Sequence, residues 1–256
     1  MRIGRAVLGD ASCFGEVVDD RFHVLAGDIF GSPSRTGQSL PMADLTLGPP
    51  LVGVRFVNVM GGFLEPVTSR PPQRQPMWLP KSSAFAVGDG AEVEYPSVLT
   101  GPLQIESELA VVVGRPLRRA SVAEASGSIF GWTVFNDLTA AEYGAGGFWA
   151  LGKSMDGFAA WGPWIRRDLT EVRVLAGLAI TATVNGVRVQ SGDTRHFCFT
   201  PGEMLSHISH RIALFPGDVV ALGTPPPPVD VAVGDRVVCA VEEVGELHNE
   251  IVKEGP

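Results

Sequence analysis

Glycine or proline fills about one position in five of this chain, 31 glycines and 20 prolines among 256 residues. Glycine costs more backbone entropy to order than any other residue, and proline lacks the N–H that a helix interior needs. Their spacing predicts many turns joining short elements and excludes a bundle of long helices. The share stays below the ~25–30 % of low-complexity chains. With 45 % apolar residues there is enough material for a sizeable core, in one large domain or two modest ones.

Charge narrows the partners. Twenty basic against 28 acidic side chains give a net charge of −8. The longest basic runs are the pairs Arg118-Arg119 and Arg166-Arg167, too little positive field for nucleic acid or an anionic membrane. The apolar run Ala6-Val7-Leu8 is shorter than the ~7–15 residues of a signal peptide, and no stretch approaches the ~18 of a membrane span. Cys13, Cys198 and Cys239 are far apart and read as free thiols of a reducing compartment. The expectation is a cytoplasmic protein with a small-molecule partner, no nucleic acid and no membrane.

Along the chain, residues 1–65 read as a small β-rich unit with short apolar runs at 2–8, 14–18 and 22–25. The stretch 31–38 is polar and carries proline and glycine, and 51–59 reads as a buried strand. Residues 66–76, rich in proline and polar side chains, read as a linker or lid, and 77–256 as the larger second domain. Two helices are signalled by capping boxes, Ser121 with Glu124 and Thr200 with Glu203. Further strands are expected at 109–113, 132–136, 178–184, 187–190, 219–222 and 237–241, with a hairpin turn at Asn185-Gly186. The fold class is α+β, dominated by strands.

The stretch Glu106-Ser107-Glu108 leads directly into Leu109-Ala110-Val111-Val112-Val113. Residues two apart in a strand share a face, so both carboxylates point the same way. A solvated edge face gives the same spacing. A strand that carries two charges at one end and then enters a core is also how a site is built on a rigid scaffold. Asp137 closes another apolar run, 130–136, either as a turn former or as a third oxygen ligand. Three carboxylates and no imidazole or thiolate suit Mg²⁺ or Mn²⁺. Lys153, alone between apolar segments, is either a solvated charge or a fixed cation for an enolate or carboxylate.

Taken in order, Glu106-x-Glu108, Asn136-Asp137, Gly152-Lys153-Ser154-x-Asp156, Gly162-Pro163-Trp164, Asn185-Gly186, Pro216-Gly217-Asp218 and Gly223-Thr224-Pro225 resemble the fumarylacetoacetate hydrolase family over about residues 51–251. The resemblance implies a mixed β-sandwich roll, a homodimer, and one Mg²⁺ or Mn²⁺ on Glu106, Glu108 and Asp137. It also implies that Lys153, Gln190 and Thr224 face the substrate, a 2-oxo acid or 1,3-dicarbonyl. In such a site the metal is a Lewis acid for an enolate, and Lys153 adds a second positive charge.

Hydrolytic members of that family activate water with a histidine and a glutamate in a lid pattern Asn-Tyr-x-x-His-x-x-Glu. Here Asn58 and Glu65 keep the ends, but Val59 and Gly62 stand at the tyrosine and histidine positions. Ala141-Glu142 replaces the family's Arg-Asp, and Pro80-Lys81 inverts its Lys-Pro. The missing histidine favours decarboxylation or keto–enol isomerisation over hydrolysis. Hydrolytic C–C cleavage of an acylpyruvate, with Glu65 or His196 holding the water, is the alternative. A binding protein on the same scaffold, its catalysis lost, is the third reading.

Overall fold

A computed structural model describes residues 1–63, 75–82 and 85–255. Strands dominate, in three sheets. The large sheet runs, edge to edge, through Ser34–Pro41, Arg21–Ala26, Ala11–Val18, Arg2–Leu8, Ala159–Arg166, Ile129–Asp137, Ser107–Val113, Val219–Ala221, Phe56–Met60 and Met77–Lys81, with Thr46–Leu47 attached to the strand Arg2–Leu8. A five-stranded sheet holds Val187–Asp193, Ala179–Val184, Arg236–Val241, Gly245–Lys253 and Glu92–Tyr95. Most neighbours are antiparallel; Phe56–Met60 beside Val219–Ala221 and Glu92–Tyr95 beside Gly245–Lys253 are parallel.

The middle of the large sheet is buried on both faces, which is why residues 109–113 read as a continuous apolar run and not as an alternation. Leu109, Val111, Val113, Trp132 and Val134 pack with Ile180, Ala182, Val237, Cys239 and Leu247 of the five-stranded sheet. Ala110, Val112, Phe135, Phe56 and Trp161 form a second core on the opposite face. Both capping boxes are present, on the helices Val122–Ser126 and Pro201–Ser209. Asn185 and Gly186, both at positive φ, make the hairpin turn.

Two expectations change, and one strand is added. Ser34–Pro41, which overlaps the polar stretch 31–38, is the exposed edge strand of the large sheet. Its partners supply backbone hydrogen bonds while its polar side chains face water, so no apolar pattern marks it. The strand expected at 51–59 begins only at Phe56, because Gly53 at φ +67° turns the chain first. Among the described residues three helices of four or five residues stand beside the two with capping boxes, Ala141–Ala145, Trp149–Gly152 and Glu171–Leu175. None of the described helices is long and apolar enough to cross a membrane.

One polar link fixes the two sheets next to Glu106 and Glu108. Ser107 faces the five-stranded sheet, and its Oγ donates to Thr181 O at 2.9 Å from a fully buried position. Ser107→Ala is expected to cost about 1–3 kcal/mol, the usual loss for a buried hydrogen bond left half made. Urea denaturation of the two proteins measures it.

Candidate active site

The period-2 geometry of Glu106-Ser107-Glu108 puts the two carboxylates on the face opposite Ser107. The antiparallel neighbour pairs Ser107 with Asn136, so Asp137 arrives beside them, its N–H donating to Glu106 O at 2.9 Å. Carboxylate oxygens of Glu106, Glu108 and Asp137 all lie within 4.8 Å of one another, and all three residues are buried.

Two lysines answer these charges. Lys153 follows the short helix Trp149–Gly152, and its Nζ donates to Glu106 Oε1 (3.0 Å), Asp137 Oδ2 (2.5 Å) and Thr139 Oγ1 (2.7 Å). Lys81, at the end of the edge strand Met77–Lys81, donates to Asp137 Oδ1 and to Leu138 O. In the sequence Lys81 stands out only through the inverted Pro80-Lys81 dipeptide, which assigns it no role. Nothing local announces that it reaches a carboxylate 56 residues away. Its one signal is a lysine ending an otherwise apolar edge strand.

The ionisation pattern follows from burial and these contacts. Burial opposes the charge on Asp137, but the ammoniums of Lys153 and Lys81 outweigh it and hold the carboxyl below the usual aspartate value. Burial works against Lys153 too, yet Asp137 and Glu106 keep its ammonium above the ordinary lysine range. Lys81 is pulled below that range by burial, against the attraction of Asp137. Glu106 is raised by burial in spite of Lys153. Glu108 is raised furthest, by burial and then by Asp137 and Glu106. Its hydrogen bond is from Gly223 N–H, at 2.7 Å.

The donor set fits a hard divalent cation. Three carboxylates face two ammoniums, and Glu108 touches neither ammonium. The register Asn58–Ala221–Ala110 puts the Asn58 amide on the same sheet face as Glu108. Asn58 is 1 % exposed, and among the described residues neither of its amide atoms has a hydrogen-bond partner. Buried polar atoms are seldom left so, and an ion with its water shell offers such partners. All-oxygen donors of this kind suit Mg²⁺ or Mn²⁺.

A cavity of about 250 Å³ opens onto this cluster. Its polar lining is Glu106, Asp137, Lys153 and Thr224, and its apolar lining includes Val59, Met60, Trp149, Pro226 and Pro228. Gln190 is not among the lining residues. Its Oε1 accepts from Ser107 N–H (3.0 Å), and its Nε2 donates to Thr224 Oγ1 (2.9 Å) and Pro225 O (2.5 Å), which props the 224–228 loop over the strand end. His196 is exposed on the turn Thr194–His196 and does not line the cavity. Glu65 lies outside the described residues, as does most of the expected lid.

Before that segment the chain is tightly placed. Cys198 N–H donates to Gly62 O at 2.8 Å, and Phe63 bridges to Phe197. A Cβ added to Gly62 would stand 2.0 Å from Leu222 O. No side chain fits at position 62 in this conformation, so the residue aligned with the family's histidine is a backbone contact.

A family model described as fumarylacetoacetate (FAA) hydrolase, C-terminal, matches residues 55–252, and one described as Rv2993c-like, N-terminal, matches residues 1–50. Protein Rv2993c of Mycobacterium tuberculosis is 31 % identical over 266 residues, covering 100 % of this chain and 99 % of that protein. A human mitochondrial oxaloacetate tautomerase is 33 % identical over 232 residues, 83 % of this chain and 71 % of its own length. The crystal structure of a 2-hydroxyhepta-2,4-diene-1,7-dioate isomerase from Mycobacterium marinum superposes with a TM-score of 0.89 at 31 % identity, covering 100 % of both chains.

A glutamate whose folded pKa is raised stabilises fully below its unfolded value, and that contribution is lost as pH rises through the folded value. For Glu108 and Glu106 the window therefore opens near pH 4.5 and extends upward. Glu108→Gln removes the least compensated of these charges. In chelator-treated protein, melting temperature is expected to fall between pH 5 and 7 more steeply for the parent than for Glu108→Gln. The difference should be about 2–4 °C per pH unit. Parallel profiles from calorimetric scans would contradict the buried-charge account.

Proposed function

Since the chain belongs to the fumarylacetoacetate hydrolase family, we propose that it is a divalent-metal enzyme that interconverts the keto and enol forms of a 2-oxo acid, or decarboxylates one, without activating water. The observation that carries this reading is Lys153, buried and charged against Glu106 and Asp137, with which it lines a cavity. A divalent ion held by Glu106, Glu108 and Asp137 supplies Lewis acidity to such a site.

The chain's own groups divide the remaining work. Lys153 stays protonated and its three N–H bonds already go to Glu106, Asp137 and Thr139, so it is a fixed positive charge near the oxygen on which negative charge develops, and not a base. Lys81 keeps Asp137 ionised from behind. Thr224 Oγ1, anchored between Gln190 and Ser107 O, faces the same cavity. Between Met60 and Pro76 the ionisable side chains are Glu65, Arg70 and Arg74. Arginine does not deprotonate, so Glu65 is the base this segment offers for a proton on carbon.

Water activation has less support. No histidine lines the cavity among the described residues, and Gly62 has no room for one. The human oxaloacetate tautomerase and the M. marinum isomerase, to which the chain is similar, carry out isomerisations.

The test is turnover of a panel of acylpyruvates, oxaloacetate and other 2-oxo acids with Mg²⁺ or Mn²⁺. It is followed by enol absorbance and by product mass. Metal-dependent loss of enol signal or of CO₂ is expected, abolished by chelator. Lys153→Met should lower kcat by at least ~100-fold while leaving the melting profile of the metal-loaded protein recognisable. Products that have gained water would overturn the non-hydrolytic reading. Metal-independent binding without turnover would favour the scaffold-only alternative.

A further inference from the structure

The strand Ser107–Val113 has the acidic cluster at one end, and a basic loop leaves the other. At the rise of a strand the two lie roughly 20 Å apart. Arg115, Arg118 and Arg119 fall within five positions there, in a chain of net charge −8. All three are exposed and line one cavity of about 560 Å³. Glu124 and Ser128 add to its polar lining, and Pro116, Leu117 and Ala123 are apolar. The Glu124 carboxylate is already held by Ser121, from N–H at 2.8 Å and from Oγ at 2.7 Å. Three guanidiniums against one carboxylate leave an excess of two positive charges. Arg115 donates to Gly127 O, while the side chains of Arg118 and Arg119 have no hydrogen-bond or ion-pair partner among the described residues.

The loop that presents these arginines is held from below. Leu117 and Leu214 exchange both backbone hydrogen bonds, at 2.8 and 2.9 Å. Arg119 N–H donates to Ser209 O at 2.8 Å, and Ala120 N–H to Ser209 Oγ at 3.0 Å. Ser206 Oγ donates to Ala120 O at 2.7 Å. Both serines are buried on the helix Pro201–Ser209, so two hydroxyls under the loop serve its backbone. Arg119 itself stands at φ +53°, in the left-handed region that a residue with a Cβ enters at a cost. Glycine fits that backbone without the cost, whereas arginine there puts a guanidinium at the cavity. Residues held in such a conformation by their surroundings are a mark of binding sites. A receptor fixed beforehand also loses less entropy when its ligand arrives.

We propose that this cavity is a second binding site, for a small phosphate monoester whose dianionic phosphate is held by Arg118 and Arg119. Two excess positive charges match the two negative charges of the phosphate. The planar fork of arginine fits its oxygens in pairs. The volume falls in the ~300–1,000 Å³ range of small-molecule sites, and the apolar lining at Pro116 and Leu117 suits an organic group beside the phosphate. The site stands at the far end of the strand from the acidic cluster, and it does not depend on which reaction that cluster supports.

Calorimetry on the full-length, Mg²⁺-loaded protein tests this with phenyl phosphate, inorganic phosphate and benzenesulfonate, at about pH 8, where the monoester is dianionic. Phenyl phosphate is expected to bind at least ~3-fold more tightly than inorganic phosphate, through its ring. Against benzenesulfonate, of similar shape and one charge fewer, the expected margin is at least ~5-fold. Arg118→Ala and Arg119→Gly should each weaken phenyl phosphate at least ~5-fold and leave Mg²⁺ affinity unchanged. Because Arg119→Gly relieves the positive φ, its melting temperature should equal or exceed the parent's, which separates lost binding from lost fold. If it melts lower, Arg118→Ala, at an exposed side chain without contacts, decides alone. Phenyl phosphate affinity that is unchanged in Arg118→Ala overturns the proposal, and places any binding elsewhere. Benzenesulfonate or inorganic phosphate binding as tightly as phenyl phosphate overturns it too. A change of oligomeric state in Arg118→Ala by sedimentation, without loss of phenyl phosphate affinity, would make the cluster a protein contact and refute the site.

Discussion

Three carboxylates buried within 4.8 Å of one another are a liability that the surrounding structure has to answer. Like charges out of water repel and lose hydration together. The fold answers with two lysines from unrelated parts of the chain, both brought to Asp137. That requirement fixes where the edge strand Met77–Lys81 must end and where the helix Trp149–Gly152 must leave its last turn. Glu108 is the member left without a cation, and it is the carboxyl whose ionisation burial opposes most. The need for further positive charge is therefore localised at one side chain of the cluster.

Much of this was legible in the sequence for physical reasons. Alternation along a strand is rigid, so Glu106 and Glu108 had to share a face. A polar residue closing an apolar run had to sit at a sheet end, as Asp137 does. The capping boxes and the Asn185-Gly186 turn are local chemistry and appear in place. What escaped was non-local or masked by water. Lys81 acts on a partner 56 residues away. The orphaned amide of Asn58 becomes apparent only when the register with Val219–Ala221 is known. Ser34–Pro41 is a strand held by its neighbours' backbone and not by its own side chains.

The glycine at position 62 gains a meaning that counting could not supply. From the sequence it is a histidine position left empty. In the structure it is a place where backbone meets backbone, closed by Leu222 O on one side and tied to Cys198 on the other. The departure from the family pattern thus reaches beyond one side chain to the path of the main chain at the start of the lid. Glu142 shows the same kind of reuse. Standing where the family has aspartate, it accepts from Thr100 N–H (3.1 Å) and Gly101 N–H (2.7 Å), fastening a loop.

The polar link through Gln190 and Ser107 has a mechanical side. Between the two sheets lie mostly smooth aliphatic contacts, which resist separation but offer little against sliding. At the strand end that carries the acidic residues, one carboxamide is riveted to backbone and hydroxyl groups of both the large sheet and the 224–228 loop. Slip between the layers is thereby pinned at its most sensitive point.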